Sequence, residues 1–364
     1  MRRISSKHAR AGMVLSRPVY DNRGYMIFDS DIKLSDDALR MLDLYGIGEI
    51  LVRDNRVNDV LVYPLIPSEL EGQTALALRK LLMDTQSNGS IKPALLDQVK
   101  KPIFSMVRML YPDVKGEPNT AGCNVLQDYD CVQPVNVACL SLLIGRRVGL
   151  PMMDLAHLGS ASVLMNIGYG QLQHLSMHGW IPKKTEPLTE NEFLEIRKHP
   201  EHGSRLLKKV GTVDAKITEA VYQHHERWNA SGYPRGLEGA EISLFARIIA
   251  ITDTYCTLIS NRPFRRAYLP HEAMEFILRF SGELFDPDLV NIFSTEIPLY
   301  PTGVTVRLNT GEIGIVIKAN PWSFGRPVIR VIYGEYGAPV RNLYDIDLNI
   351  AEHQHKQIVE TLTY

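Results

Sequence analysis

No run of apolar residues in this 364-residue chain approaches the roughly 18–20 that a helical membrane span requires, so no such span is expected. The basic start, MRRISSKHARAGMVLSRPVY, has no continuous apolar segment of the secretory type, and a cytoplasmic location is the expectation. Cysteine is scarce. The four present, Cys123, Cys131, Cys139 and Cys256, form no CxxC pair, which excludes a disulfide framework and leaves reduced, mostly buried thiols. Excess charge is lacking too. Forty basic residues face 41 acidic ones for a net charge of -1, which argues against a nucleic-acid polymer as partner but permits one local basic pocket. There is no internal repeat and no low-complexity segment.

What is present is ordinary globular material, 45% hydrophobic and 22% charged, long enough for two or three folded units. Residues 1–70 alternate short aliphatic runs (GMVLSRPVY, EILVRD, VLVYPLI) with turn residues. Between two of these runs, LSDDALRMLDLYG predicts one helix, capped by Ser35 and closed by Gly46. That is a small α+β N-terminal domain. Residues 71–117 read as a helical connector. From 118 to 300 the apolar period is three to four residues, the mark of a helical bundle. Residues 301–364 switch to alternation around Asn-Thr-Gly and Glu-Tyr-Gly turns, predicting two hairpins and a β-barrel-like C-terminal extension.

Chemistry concentrates in HHERWNASGYPRG, which begins at His224-His225. Adjacent histidines at a helix end, followed by a Gly-Tyr-Pro turn, suit metal ligation beneath a closing loop. His199 precedes a proline, and Asp253 lies inside the apolar helix ARIIAITDTYCTLIS, where a carboxylate needs a partner. Lone histidines such as His157 and His202 read as surface or core residues. The run Arg262-Pro263-Phe264-Arg265-Arg266 reads either as a solvated cluster or as a bidentate phosphate grip.

The stretch HHERWNASGYPRGLEGAEISLFARIIAITDTYCTLISNRPFRRAY resembles the C-terminal half of an HD-GYP domain, and the likeness extends over about residues 118–300. The resemblance implies an all-helical HD-type bundle and metal-dependent hydrolysis of cyclic di-GMP. It assigns His199, His224, His225 and Asp253 to metal, Arg262 and Arg265 to the nucleotide's phosphates or guanine edges, and Tyr233 to the pocket lining.

The departures matter as much. Where the family has an early histidine this chain has Gln133; its His-Asp dyad is Met165-Asn166; the following lysine is Tyr169. Tyr129 stands at an acidic position of some members, and Cys256 where an aspartate is common. Asn166 is neutral and cannot offset the repulsion between two cations, Met165 is a soft thioether, and Gln133 is a weak ligand. A dinuclear centre is therefore not expected: at most one divalent ion (iron, manganese, zinc or nickel) or none. The reading that follows is a degenerate signalling protein that binds cyclic di-GMP, or a partner, with little or no hydrolysis. An active phosphodiesterase with an atypical site is the first alternative, and a scaffold docking a diguanylate-cyclase domain the second.

Overall fold

In the computed structural model, which describes residues 1–21, 25–60, 66–110, 129–172, 189–260, 267–320 and 325–362, helices fill the middle of the chain and strands its two ends. The first helix, α1 (Asp36–Leu44), is the one expected from the sequence. Ser35 Oγ accepts from Ala38 N at 3.1 Å, two aspartates sit in the first turn, and Gly46 leaves it at φ 64°. It packs beside β1 (Arg2–Ser5), which is antiparallel to β4 (Glu49–Val52), and beside the pair β2 (Val19–Tyr20) and β3 (Met26–Phe28). Ile4, Leu15, Leu34, Leu42 and Ile50 form a small core there.

One large core joins the helices that follow. α2 (Ser68–Asn88), which begins just before the stretch read as a connector, and α3 (Pro93–Leu110), within it, bury Leu78, Leu81, Val99, Ile103 and Met106. Against them lie α4 (Tyr129–Val148), α5 (Met152–Leu164), α7 (His199–Val210), α8 (Ala215–Gln223), α9 (Leu244–Leu258), α10 (Pro270–Arg279) and α11 (Pro287–Glu296). The short α6 (Glu190–Ile196) buries nothing and is held by a capping box in which Thr189 and Glu192 satisfy each other's backbone donors. A buried hydrogen bond of 2.8 Å between the hydroxyls of Ser141 and Thr252 fixes α4 against α9. Among the described residues no helix is long and apolar enough to cross a membrane.

The C-terminal region is one antiparallel sheet of β5 (Thr305–Leu308), β6 (Ile313–Lys318), β7 (Val328–Tyr333), β8 (Pro339–Asp347) and β9 (Ile358–Leu362), in the order β8-β7-β6-β5-β9. Both expected hairpins are present. The barrel-like closure is not: β8 and β9 are two open edges, and the side chains of β8 are mostly exposed, without the apolar face a closed barrel would bury. One cluster of this region holds Val306, Val316, Ile329 and Val331. The other receives Val57 among Ile313, Ile315, Ile332 and Leu362. Arg330 tightens that junction, pairing with Asp345 and reaching back to Asp59 and the carbonyl of Arg56. Arg3 N also donates to Gly303 O at 2.9 Å. The two strand-bearing ends of the chain are thus packed on each other.

Candidate functional site

The proline after His199 would allow a break in the chain at this point. Instead His199 opens α7, with Pro200 in the helix's first turn, where its missing N–H costs nothing because that donor has no partner inside the helix. His224 follows the end of α8. Each of these imidazoles donates its Nδ1–H to a carbonyl three residues back, His199 to Ile196 and His224 to Val221, both at 2.7 Å. That fixes the tautomer and leaves both Nε2 atoms as lone pairs, 3.1 Å apart. Two lone pairs so close call for a shared cation. His225 completes the group, and its ligand atom lies within 4.8 Å of the other two. The three imidazoles form a donor set that could hold a metal ion.

Burial keeps all three rings neutral. His199 and His225 are held well below the ordinary histidine value by desolvation and then by the nearby His224, and His224 is lowered to about 4 by burial. Between pH 6.5 and about 4 the unfolded chain takes up a proton at His224 that the folded chain refuses. The metal-free protein should therefore lose about 3 kcal/mol of stability as pH falls through that window. Urea midpoints at pH 7, 6 and 5 in the presence of chelator test this, and a flat profile would contradict it.

The turn that follows α5 is pressed against the start of α7. A Cβ on Gly168 would stand 1.9 Å from His199 O and 2.5 Å from Gly203 N, so only glycine allows the approach. Next to it Tyr169 stacks on His199, with centroids 4.1 Å apart and planes 16° from parallel. Met165 is fully buried in the core and Asn166 sits between α5 and this turn. Cys256 is likewise buried in the core.

Asp253 is engaged by Gln133. The Gln133 amide donates to Asp253 Oδ1 and, at 3.3 Å, to the Thr257 hydroxyl. Gln133 Oε1 is buried without a hydrogen-bond partner. Asp253 is outside the group that could share an ion among the described residues.

The Gly-Tyr-Pro loop folds back over the histidines. Tyr233 N donates to His225 O at 3.2 Å, and the two rings stack at 4.7 Å. Burial raises the Tyr233 phenol above its usual range. The loop is tied down by Glu226, whose buried carboxylate accepts from Arg235 N at 2.7 Å and Leu237 N at 3.1 Å. Gly232 is again obligatory, since its Cβ would meet Arg227 N and Glu226 Cα at 2.4 Å. Two arginines adjoin the stack. Arg197 lies over the Tyr233 ring at 4.6 Å, and the Arg227 guanidinium stands 5.7 Å from the Phe285 ring with Nη1 buried and without a hydrogen-bond partner. Glu226, Arg197 and Arg227 did not stand out in the sequence. Asking which carboxylate satisfies the backbone of the glycine-bearing loop would have found the first. Arg262, Arg265, Arg266 and Cys123 lie outside the described residues, as does the side chain of Tyr129.

The HD domain family matches residues 106–289, half of the chain, and spans every residue of this cluster. The chain is an HD-domain protein. Its relatives and its Gly-Tyr-Pro turn place it in the HD-GYP branch. The cyclic di-GMP phosphodiesterase PA4108 of Pseudomonas aeruginosa is 32% identical over 57% of this chain and 48% of its own length. The response regulator RpfG of Xanthomonas campestris, also a cyclic di-GMP phosphodiesterase, is 28% identical over 65% of this chain and 60% of its own. The HD-GYP chain thus spans less than two thirds of these curated relatives. Residues 305–363 match the KOW domain associated with the HD domain. Among solved structures, Bd1817, an HDG"Y"P protein from Bdellovibrio bacteriovorus, shares the fold with a TM-score of 0.52 at 13% identity, over 80% of this chain and 97% of its own.

Proposed function

We propose that this HD-GYP protein binds cyclic di-GMP, the nucleotide its relatives cleave, and hydrolyses it little or not at all. The observation that carries the reading is the pairing of Asp253 with Gln133: an amide engages the carboxylate that a second metal would need. His199, His224 and His225 would hold one divalent ion, which would supply positive charge to a phosphate oxygen. A second ion 3.5–4 Å away, roughly the usual spacing, would find Gln133, the buried thioether of Met165 and the neutral Asn166. None compensates its charge. Tyr233, with Arg262 and Arg265, would complete the nucleotide pocket, and Tyr169 on His199 would hold the first ligand in place. Through its flanking strand-bearing regions, such a binder would pass the ligand state to a signalling partner such as a diguanylate cyclase.

Metal analysis should find about one ion per chain, lost in His199→Ala and His224→Ala. Calorimetry should show cyclic di-GMP binding, and anaerobic incubation with iron or manganese should yield no linear product. Two ions per chain with turnover would establish the active alternative. Absence of binding with and without metal would favour a scaffold.

A further inference from the structure

We infer that Arg197 and Arg227 form a phosphate-binding subsite beside the stacked His225–Tyr233 pair, a proposal that rests on the reading of this pocket as a cyclic-dinucleotide site. The starting point is an unmet demand. A buried guanidinium nitrogen without an acceptor is costly, and more so than a neutral donor, yet Arg227 Nη1 is one. Asp253 acts on Arg227 through its charge, but the nearby carboxylates have other hydrogen-bond donors. Glu226, its neighbour in sequence, has both oxygens on the backbone of the loop, and Asp253 receives the Gln133 amide.

Arg197 lies over the Tyr233 ring, and Arg227 follows His225 by two residues with its backbone N packed against Gly232, the residue before Tyr233. Two guanidinium groups beside one aromatic stack favour an anion. The planar fork of arginine matches the paired oxygens of a phosphodiester better than a point charge would. Phe285 behind Arg227 and Tyr233 beneath Arg197 keep the two forks oriented, so little freedom is lost when the ligand arrives. The ligand class is therefore a phosphate diester, with pyrophosphate as its simplest inorganic mimic.

The test uses the metal-loaded full chain and its Arg227→Met, Arg227→Lys and Arg197→Gln variants, titrated calorimetrically with cyclic di-GMP and with inorganic pyrophosphate. Arg227→Met and Arg197→Gln should each weaken both ligands about tenfold or more, and Arg227→Lys should lose less, with metal content unchanged. The ligand-free Arg227→Met protein should melt no lower than the parent, because an unpaired buried cation has gone. Parental affinity in Arg197→Gln and Arg227→Met, with the parent binding cyclic di-GMP, would overturn the subsite and leave the nucleotide reading intact. A marked drop in melting temperature of Arg227→Met, with metal loss, would show a structural arginine instead. Pyrophosphate bound by the parent but not by the variants, without cyclic di-GMP binding, would sustain the subsite and sink the nucleotide reading. A parent that binds neither ligand would overturn both.

Discussion

Replacing Gln133 by His, Met165 by His and Asn166 by Asp together should raise the metal content from about one ion per chain to about two. Cyclic di-GMP hydrolysis should then rise about a hundredfold or more above the parent chain. On the proposed reading the effect is large because the three positions act together. The Gln133 amide engages Asp253, Met165 offers only a thioether in the core, and Asn166 lacks the charge that lets two cations sit side by side. Asn166→Asp alone should do much less, since Asp253 would still be bonded to Gln133. Metal analysis and chromatographic detection of linear product read the outcome. A folded triple variant that keeps one ion would show that something other than these three residues limits the site.

Gly168→Ala should cost about 3 kcal/mol or more and strip the protein of metal. The added methyl group would meet His199 O at 1.9 Å and Gly203 N at 2.5 Å, both backbone atoms that cannot rotate away. The turn or the start of α7 must shift, and either movement carries His199 from His224 and Tyr169 from its stack. Chemical denaturation and metal analysis of the variant give the two readouts. Wild-type stability with full metal binding would mean that the turn is looser than its packing indicates.

The parts of this protein governed by local rules were readable in advance. Ser35 caps α1, the turns at Gly311 and Gly337 close two hairpins, and the adjacent histidines mark a helix end. What could not be read depends on partners far apart. Gln133 was recognisable as a poor ligand, but its grip on Asp253, 120 residues away, arises only when α4 and α9 pack. Pro200 reads as a break or a helix start according to which carbonyls lie nearby, and here it starts α7. The openness of the sheet depended on β8 having no second row of apolar side chains. The isolation of Arg227 became visible only once Glu226 was seen to be engaged with the loop.

Val57 lies wholly buried against Ile313, Ile315, Ile332 and Leu362. On the ribosome, the segment carrying Val57 emerges long before its partners exist, by about 15–60 s at ordinary elongation rates. The N-terminal region can assemble its own small core in that interval but not its seal. It must wait with an apolar face uncovered while the helical bundle is made. A chain stalled before β9 would thus present that face to chaperones and proteases, because Leu362 is part of its cover.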